Sequence, residues 1–289
     1  MKNDQSLWID QFPRPSAEDN KYSRGMVTVL GGMEMTGAAC LAAHAASRAG
    51  AGLVTIISPT FHYRKKPESI DPTAIYRGFK PHIIVRNGTS LLDFMKQSEA
   101  KGRNVCVIGP GLGQDEPQVS RALILGVLAR KTPVVLDADA LNVFQSVPHE
   151  LLQALHEQAV LTPHRGEFKR LFPNIGTKGA DAAQRAAREM LATMVLKGPK
   201  TAIALGEREA VVNDKAPPTL ATAGTGDVLA GMIAGLMAQG MSGFDASCAA
   251  VWIHARAASA FGPGLISADL PDLVPRILQD LLGFGEQLG

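Results

Sequence analysis

Short, almost wholly apolar runs alternate along the chain with longer stretches in which apolar residues recur at helical spacing. The apolar runs are typical of strands buried on both faces and cover residues 26–30, 53–58, 104–108, 133–136 and 159–162. The helical stretches cover residues 37–49, 117–130, 150–157, 167–171, 181–191, 227–239, 246–261 and 270–282. Strands that are each followed by a helix predict an α/β protein, with a mostly parallel central sheet between two layers of helices.

The remaining segments complete this prediction. Residues 194–197, 201–205 and 210–213 form three closely spaced runs, which predict hairpin-connected strands at an antiparallel edge of the sheet. Residues 1–20 and 60–100 have weak periodicity, so we expect loops there, with residues 1–20 as a peripheral segment. The sequence has no repeat and no long linker, and we expect residues 1–289 to form one domain.

Composition excludes several classes of protein. Hydrophobic residues make up 46% of the chain and charged residues 19%, which is a globular rather than a disordered balance. A net charge of +2 gives no charge-driven affinity for nucleic acid or an anionic membrane, so we expect neither as a partner. The apolar runs are also shorter than the ~20 residues that a membrane-spanning helix needs.

The cysteines and the N-terminus indicate a cytoplasmic protein. Cys40, Cys106 and Cys248 are far apart and odd in number, which fits neither a disulfide framework nor a metal-binding motif. Each lies in an apolar stretch, so we expect buried thiols in a reducing compartment. Residues 1–20 lack the basic start and apolar core of a secretory signal.

The most informative loop is Gly-Thr-Gly-Asp at residues 224–227, directly before an apolar helix. Its glycines let backbone N–H groups converge on one point, and the helix N-terminus adds partial positive charge, so the loop suits a phosphate. A nearby phosphate would raise the pKa of Asp227, which could then act as a general base toward a substrate hydroxyl. Helix capping is the alternative role for Asp227. Capping does not explain Gly231 and Gly235, which indicate close packing inside the helix.

Two more loops follow predicted strands, where open α/β sheets bind their ligands. Gly-Pro-Gly-Leu-Gly at 109–113 lets a ligand approach the backbone, or is simply a tight turn. Its spacing is not that of a dinucleotide fingerprint. In Asp-Ala-Asp-Ala-Leu-Asn at 137–142, the two carboxylates could hold Mg²⁺ or orient hydroxyls, and an Asx turn with a helix cap is an equal alternative.

Three further segments carry candidate chemistry. His164 could hydrogen-bond a substrate, and Glu167 could cap a helix or orient metal-bound water, although a solvated histidine is common in loops. The two lysines and the threonine of residues 197–201 could bracket phosphates, or form a solvated basic hairpin. Small residues at 31–39 could admit a flat ligand, or serve only in packing.

Together these segments resemble the NAD(P)H-hydrate dehydratase family and run in that family's order from residue 21 to residue 270. The segments that carry the resemblance are GG…TGAA (31–39), RAGAGLV (48–54), GPGLG (109–113), LDADALN (136–142), LTPHRGE (161–167), LKGPKT (196–201) and ATAGTGDVLAGMIAGL (221–236). The resemblance implies a ribokinase-like, three-layer α/β/α fold. It also implies that the protein phosphorylates the C6 hydroxyl of the S-epimer of hydrated NAD(P)H and then eliminates phosphate, which restores NAD(P)H in a metabolite-repair reaction.

The resemblance also implies the partners of this reaction. ADP, or alternatively ATP, would be the co-substrate, Mg²⁺ would be the cofactor, and the protein would be a homo-oligomer such as a tetramer. The catalytic base would be Asp227. Contacts to the hydrated NAD(P)H would come from Ala38, Gly111, Gly113, Asn142, His164 and Asp227. Contacts to the adenine nucleotide would come from Lys197, Gly198, Pro199, Lys200, Thr201, Gly224, Thr225 and Gly226. The metal ligands stay open, with Asp137, Asp139 and Glu167 as candidates.

The chain departs from the family pattern at several positions. Met33 stands where the family usually has Ser, Arg165 where it usually has Pro, and Asn20 where it usually has His. Residues 213–219 also differ from the family pattern, at the nucleotide edge of the expected site. No epimerase-type domain precedes residue 20, so we expect the chain to lack that partner activity. Two other functions stay open at this point: a vitamin-precursor kinase of the same fold, and a nucleotide-binding sensor without catalysis.

Overall fold

The strands of the computed structural model match most of the apolar runs in the sequence. The model describes residues 1–33, 35–61, 71–176 and 179–283. Within these residues the strands are β1 (Met26–Leu30), β2 (Leu53–Ile57), β3 (Ile84–Arg86), β4 (Asn104–Ile108), β5 (Val134–Leu136), β6 (Ala159–Leu161), β7 (Thr193–Leu196), β8 (Thr201–Leu205) and β9 (Arg208–Asn213). They form one sheet in the order β3-β2-β1-β4-β5-β6-β7-β8-β9.

The sheet is parallel from β3 to β7 and antiparallel from β7 to β9. This confirms the predicted parallel sheet with an antiparallel edge. The carboxyl ends of β1, β4, β5, β6 and β7 therefore lie along one edge of the sheet, where ligand-binding loops are expected.

Helices cover both faces of the sheet, so the fold has the three predicted layers. The helices in the described residues are α1 (Thr36–Arg48), α2 (Pro72–Phe79), α3 (Leu91–Glu99), α4 (Pro117–Ala129), α5 (Asp139–Asn142), α6 (Pro148–Ala154), α7 (Arg165–Leu171), α8 (Gly179–Arg188), α9 (Thr225–Ala238), α10 (Gly243–Phe261) and α11 (Asp269–Leu282). None of these is long and apolar enough to cross a membrane.

The core consists of two hydrophobic clusters, one on each face of the sheet. Successive strand residues point to opposite faces, so Val105 and Val107 belong to the cluster under α1, α9 and α10, whereas Cys106 and Ile108 belong to the cluster under α4 and α8. All three cysteines are buried and unpaired, as predicted.

The glycines inside α9 have the predicted packing role. A Cβ at Gly231 would lie 2.0 Å from the carbonyl oxygen of Ala42 in α1, and one at Gly235 would lie 2.6 Å from that of Ala46. The two helices can approach this closely only because neither position carries a side chain.

The prediction that residues 60–100 are loops is wrong for most of the described part of this segment, because α2, β3 and α3 lie there. The part from 62 to 70 lies outside the described residues. The strand is short and only partly buried, so its apolar pattern is weak. Capping residues mark both helices: Asp71 accepts from the Thr73 N–H before α2, and Ser90 from the Asp93 N–H before α3.

The N-terminal segment, expected to be peripheral loops, packs against β9 and α10. Lys2 forms a parallel bridge with Val212 of β9. Trp8 is fully buried and makes an edge-to-face contact with Trp252 of α10, with ring centroids 5.7 Å apart. This segment therefore adds apolar contacts to the core at the antiparallel edge of the sheet.

Candidate functional site

Three loops meet at the carboxyl ends of β1, β4 and β5, and the first two contain glycines. A Cβ at Gly32 would lie 1.4 Å from the Gly111 carbonyl oxygen. A Cβ at Gly109, whose φ is +125°, would lie 1.7 Å from the carbonyl oxygen of Asp137. These two contacts require glycine for backbone packing. Gly113 differs, because the space beside it is open and its N–H donates to Asp139 Oδ2 at 2.9 Å.

The start of α9 presents a free carboxyl group. Gly224 is the N-cap with φ +88°, in the left-handed region that favours glycine, and no side chain caps this helix. Within the described chain, the Asp227 carboxyl accepts no hydrogen bond and forms no ion pair, so the capping role is not observed. Its position in the first turn of the helix leaves it available for a ligand.

An ion pair lies beside this carboxyl group. Lys197, directly after β7, places its Nζ 2.5 Å from Oδ1 of Asp137, directly after β5. The Asp137 side chain is almost completely buried, and Lys197 is 19% exposed. Lys197 Nζ would also lie 3.1 Å from a Cβ on Gly226, so the ammonium group is adjacent to the first turn of α9. A cation and a helix N-terminus together favour an anionic ligand.

The pKa of Asp227 is raised to about 7, chiefly by burial and next by the negative charge of Asp137. The positive charge of Lys197 opposes this rise. A carboxyl group with a pKa near 7 is suited to general base catalysis at neutral pH. The predicted rise in pKa therefore does not need a bound phosphate, because the protein itself supplies it.

His254 of α10 forms a hydrogen bond with the first turn of α9. It is buried, and its Nε2 lies 3.0 Å from the carbonyl oxygen of Thr225. Because a carbonyl only accepts, Nε2 must carry the proton in this hydrogen bond. Burial lowers the pKa of His254 to about 4, so the ring is neutral at physiological pH. The neutral ring fixes the turn without adding a charge.

His164 and Glu167 form a capping box at the start of α7. His164 Nδ1 accepts from the backbone N–H of Gly166 at 2.8 Å, while Glu167 Oε2 accepts from that of His164 at 2.7 Å. Burial raises the pKa of Glu167, and Lys197 opposes the rise. The capping role predicted for Glu167 is confirmed, and the exposed His164 ring remains at the mouth of the site.

The carboxylate of Asp139 organises the loop after β5. It accepts from the Gly113 N–H and from Gln114 Nε2. Asn142 Nδ2 lies 3.5 Å from Asp139 Oδ1. Arg170 Nη2 in turn donates to Asn142 Oδ1 at 2.6 Å. Asp139 and Asn142 thus join the loops after β4 and β5 to α7.

A cavity of about 610 Å³ opens between the end of β7, the end of β9 and helices α9 and α10. Its lining includes most of the residues expected to bind the nucleotide: Lys197, Gly198, Pro199, Thr201, Thr225 and Gly226. It also includes His164, which was predicted to bind the substrate, but neither Lys200 nor Gly224. Ala38, predicted to bind the substrate, lies half-buried in the first turn of α1.

The carboxylates proposed as metal ligands already have partners in the protein. Asp137 pairs with Lys197, Asp139 accepts from the Gly113 N–H, and Glu167 caps α7. In the part of the chain that the structure describes, no three His, Cys, Asp or Glu side chains are grouped to hold a metal ion. Mg²⁺ commonly binds one or two carboxylates together with phosphate oxygens, so these residues fit a metal that arrives with a nucleotide.

Several residues that line the cavity were not predicted from the sequence. Leu229, Val251 and Ala255 form apolar walls, and His254 and Asn213 add polar groups. A histidine inside an apolar helix resembles an ordinary core residue in sequence, so only the fold shows that His254 contacts the Thr225 carbonyl. The departure from the family pattern at 213–219 was a signal for Asn213.

Curated relatives are similar to this chain over most of its length. A bifunctional NAD(P)H-hydrate repair enzyme of Salinibacter ruber is 36% identical over 293 residues, which cover 96% of this chain and 52% of the relative. An ADP-dependent (S)-NAD(P)H-hydrate dehydratase of Neisseria meningitidis is 36% identical over 255 residues, covering 86% of this chain and 80% of the relative. The chain thus spans about half the length of the bifunctional relative.

Solved structures show the same fold. A ribokinase-like superfamily protein of Enterococcus faecalis superposes with a TM-score of 0.79 at 22% identity, covering 96% of this chain and 95% of that chain. An ADP/ATP-dependent NAD(P)H-hydrate dehydratase of Bacillus subtilis, co-crystallized with ATP and Mg²⁺, superposes with a TM-score of 0.75 at 24% identity, covering 97% and 98%. The fold is therefore ribokinase-like, as the resemblance implied. The family model for NAD(P)H-hydrate dehydratase matches residues 26–279, and the chain belongs to that family.

Proposed function

We propose that this protein dehydrates the S-epimer of hydrated NAD(P)H to NAD(P)H, with ADP as the favoured co-substrate and ATP as an alternative. The observation that carries the proposal is the Asp227 carboxyl group, which has a pKa of about 7 and no hydrogen-bond partner in the described chain. It lies in the first turn of α9, near the charge of Lys197, and directly follows Gly226, which lines the cavity. The Neisseria and Bacillus relatives, both NAD(P)H-hydrate dehydratases, support the same reaction.

In the proposed first step, Asp227 takes the proton of the C6 hydroxyl while the hydroxyl oxygen attacks the β-phosphorus of ADP. The new O–P bond forms as the bond to AMP breaks. The N–H groups at the start of α9 and the Lys197 ammonium stabilise the charge on the transferred phosphoryl group. Mg²⁺, when bound with the nucleotide, would neutralise further phosphate charge, with Asp137, Asp139 and Glu167 as the candidate ligands.

In the second step the C6–O bond breaks and phosphate leaves, while a proton is lost from C5 and the C5–C6 double bond forms. The sum converts hydrated NADH and ADP into NADH, AMP and phosphate. The hydrated NAD(P)H would be contacted by Ala38, Gly111, Gly113, Asn142 and His164. Lys197 to Thr201 and Gly224 to Gly226 would contact the nucleotide.

Oxygen-18 at the C6 hydroxyl of the substrate tests this sequence of steps. The C6–O bond breaks only after the oxygen has joined phosphorus, so the label should appear in inorganic phosphate. NADH, AMP and phosphate should form in equal amounts. Label in water instead would contradict phosphorylation of the substrate, and a stable labelled phosphoester would indicate a small-molecule kinase. Nucleotide binding without turnover would indicate the sensor.

The cellular setting and the assembly belong to the same proposal. Buried, unpaired cysteines suit a reducing compartment, so we place the protein in the cytoplasm. The homo-oligomer implied by the family, such as a tetramer, stays a prediction, and light scattering of the purified protein measures its mass directly.

A further inference from the structure

A buried side-chain amide in the cavity has no partner. Asn213 is the last residue of β9, is 4% exposed and lines the cavity. Its Nδ2 is buried and forms no hydrogen bond within the described chain. The other two buried asparagines differ: Asn3 Nδ2 donates to the Cys248 carbonyl at 2.9 Å, and Asn104 Nδ2 donates to Ser98 Oγ at 2.5 Å.

An unpartnered buried amide is costly, because it has lost its hydrogen bonds to water without gaining others. Such groups are few in native proteins, and a bound ligand is one of the reasons for them. Because Asn213 borders the cavity, a ligand there can supply the missing acceptor.

The position of Asn213 indicates which part of the ligand it meets. Lys197 follows β7 and Asn213 ends β9, and Thr201 at the start of β8 pairs with Asn213. The backbones of the two residues thus stand two strand spacings apart, about 10 Å, and the Lys197 side chain extends away from Asn213 toward Asp137. This is comparable with the distance between the terminal phosphate and the base of an extended nucleoside diphosphate. The apolar walls of Leu229 and Val251 lie in the same cavity and suit a flat ring.

We propose that Asn213 donates a hydrogen bond from Nδ2 to a ring nitrogen of the purine base and so contributes to nucleotide binding. The inference rests on the proposed function, because it requires an adenine nucleotide in this cavity. Each ring nitrogen of adenine that is not bonded to ribose carries a lone pair in the plane of the ring, and an amide N–H is its natural donor.

Calorimetric titration of ADP into wild type and Asn213→Val tests the proposal. Loss of one hydrogen bond should weaken ADP binding about tenfold. Thr132→Val is the matched control, because among the described residues Thr132 Oγ1 is also buried without a partner, whereas Thr132 precedes β5 at the opposite end of the sheet and does not line the cavity. This variant should bind ADP as wild type does. Equal ADP affinity of Asn213→Val and wild type would overturn the proposal.

Analogues of ADP test the same contact without a mutation. In 1-deaza-, 3-deaza- and 7-deaza-ADP a C–H replaces one ring nitrogen. Wild type should lose about tenfold in affinity for one of the three, and Asn213→Val should bind that analogue and ADP equally. If wild type binds all three analogues as tightly as ADP, the proposal is overturned. It is also overturned if wild type loses affinity only for 2′-deoxy-ADP, because Asn213 would then contact the ribose.

The outcomes also separate this inference from the function on which it rests. If wild type binds neither ADP nor ATP, the nucleotide-dependent function fails. If wild type binds ADP and the base analogues equally and still forms NADH, only the role of Asn213 fails. Asn213→Val without nucleotide should melt no lower than wild type, because the substitution removes an unpaired amide.

Discussion

At the scale of single residues, the chemistry of the site depends on how neighbouring charges act on Asp227. Burial and the Asp137 carboxylate raise its pKa to about 7, against the opposing effect of the Lys197 ammonium. The ion pair between Asp137 and Lys197 therefore limits the rise, since each partner offsets part of the other's effect. The result is a carboxyl group that changes its protonation state near neutral pH.

The pH dependence of kcat/KM follows from this pKa. Asp227 accepts a proton only as the carboxylate, so activity should be low below its pKa and rise to a plateau as the pH increases through about 7. Asp137→Asn removes a negative neighbour and leaves Lys197 unpaired, which should move this rise to lower pH.

The control for this experiment is Glu99→Gln, since Glu99 pairs with Arg130 and is not among the charges that shift the pKa of Asp227. Its profile should overlie that of wild type. A pH profile that stays in place in Asp137→Asn would contradict the assignment of Asp227 as the titrating base.

At the scale of elements, close packing of α1 on α9 places the anion-binding turn. The interior glycines of α9 indicate this packing in the sequence, because a glycine inside a helix is costly unless something requires it. The sequence did not reveal α2, β3 and α3, since a short, partly exposed strand and short helices have weak periodicity. Their capping residues Asp71 and Ser90 were the available signal.

Gly231→Ala tests the packing of the two helices. A methyl group there would lie 2.0 Å from the backbone oxygen of Ala42, so α1 and α9 must separate. We expect a loss of about 1–3 kcal/mol in the free energy of unfolding, measured by urea denaturation.

The matched control is Gly78→Ala in α2, where nothing lies within 4 Å of the added Cβ. Helix propensity should make that variant more stable by up to about 1 kcal/mol. If the two variants changed stability equally, the close approach of α1 and α9 would not be the reason for Gly231.

At the scale of the whole molecule, the sequence predicts the order of the layers and the edge that carries the site. It identifies Asp227, Lys197 and Asp137 separately, because Lys197 and Asp137 follow strands and Asp227 follows a glycine-containing turn at the start of a helix. It does not predict that Lys197 and Asp137 pair, or that His254 and Asn213 reach the cavity, because these contacts join residues far apart in the chain. The burial of Trp8 is missing from the sequence prediction for the same reason.

Trp8→Ala tests whether the N-terminal segment belongs to the core. Trp8 is fully buried against Trp252, so its truncation should lower the free energy of unfolding by about 3–5 kcal/mol. Trp8→Phe keeps an aromatic ring and should cost less. Urea denaturation followed by circular dichroism measures both variants, and an unchanged midpoint in Trp8→Ala would place the segment outside the cooperative core.

The most direct measurement of the central claim is the absorbance at 340 nm after mixing the protein with hydrated NADH, Mg²⁺ and ADP or ATP, for wild type beside Asp227→Asn. We expect a nucleotide-dependent rise in absorbance for wild type and a rise about 10²–10⁴ times slower for the variant. Calorimetry should show that both proteins bind ADP. A variant as fast as wild type would contradict Asp227 as the base. No rise from a wild-type protein that binds the nucleotide would contradict the dehydratase itself.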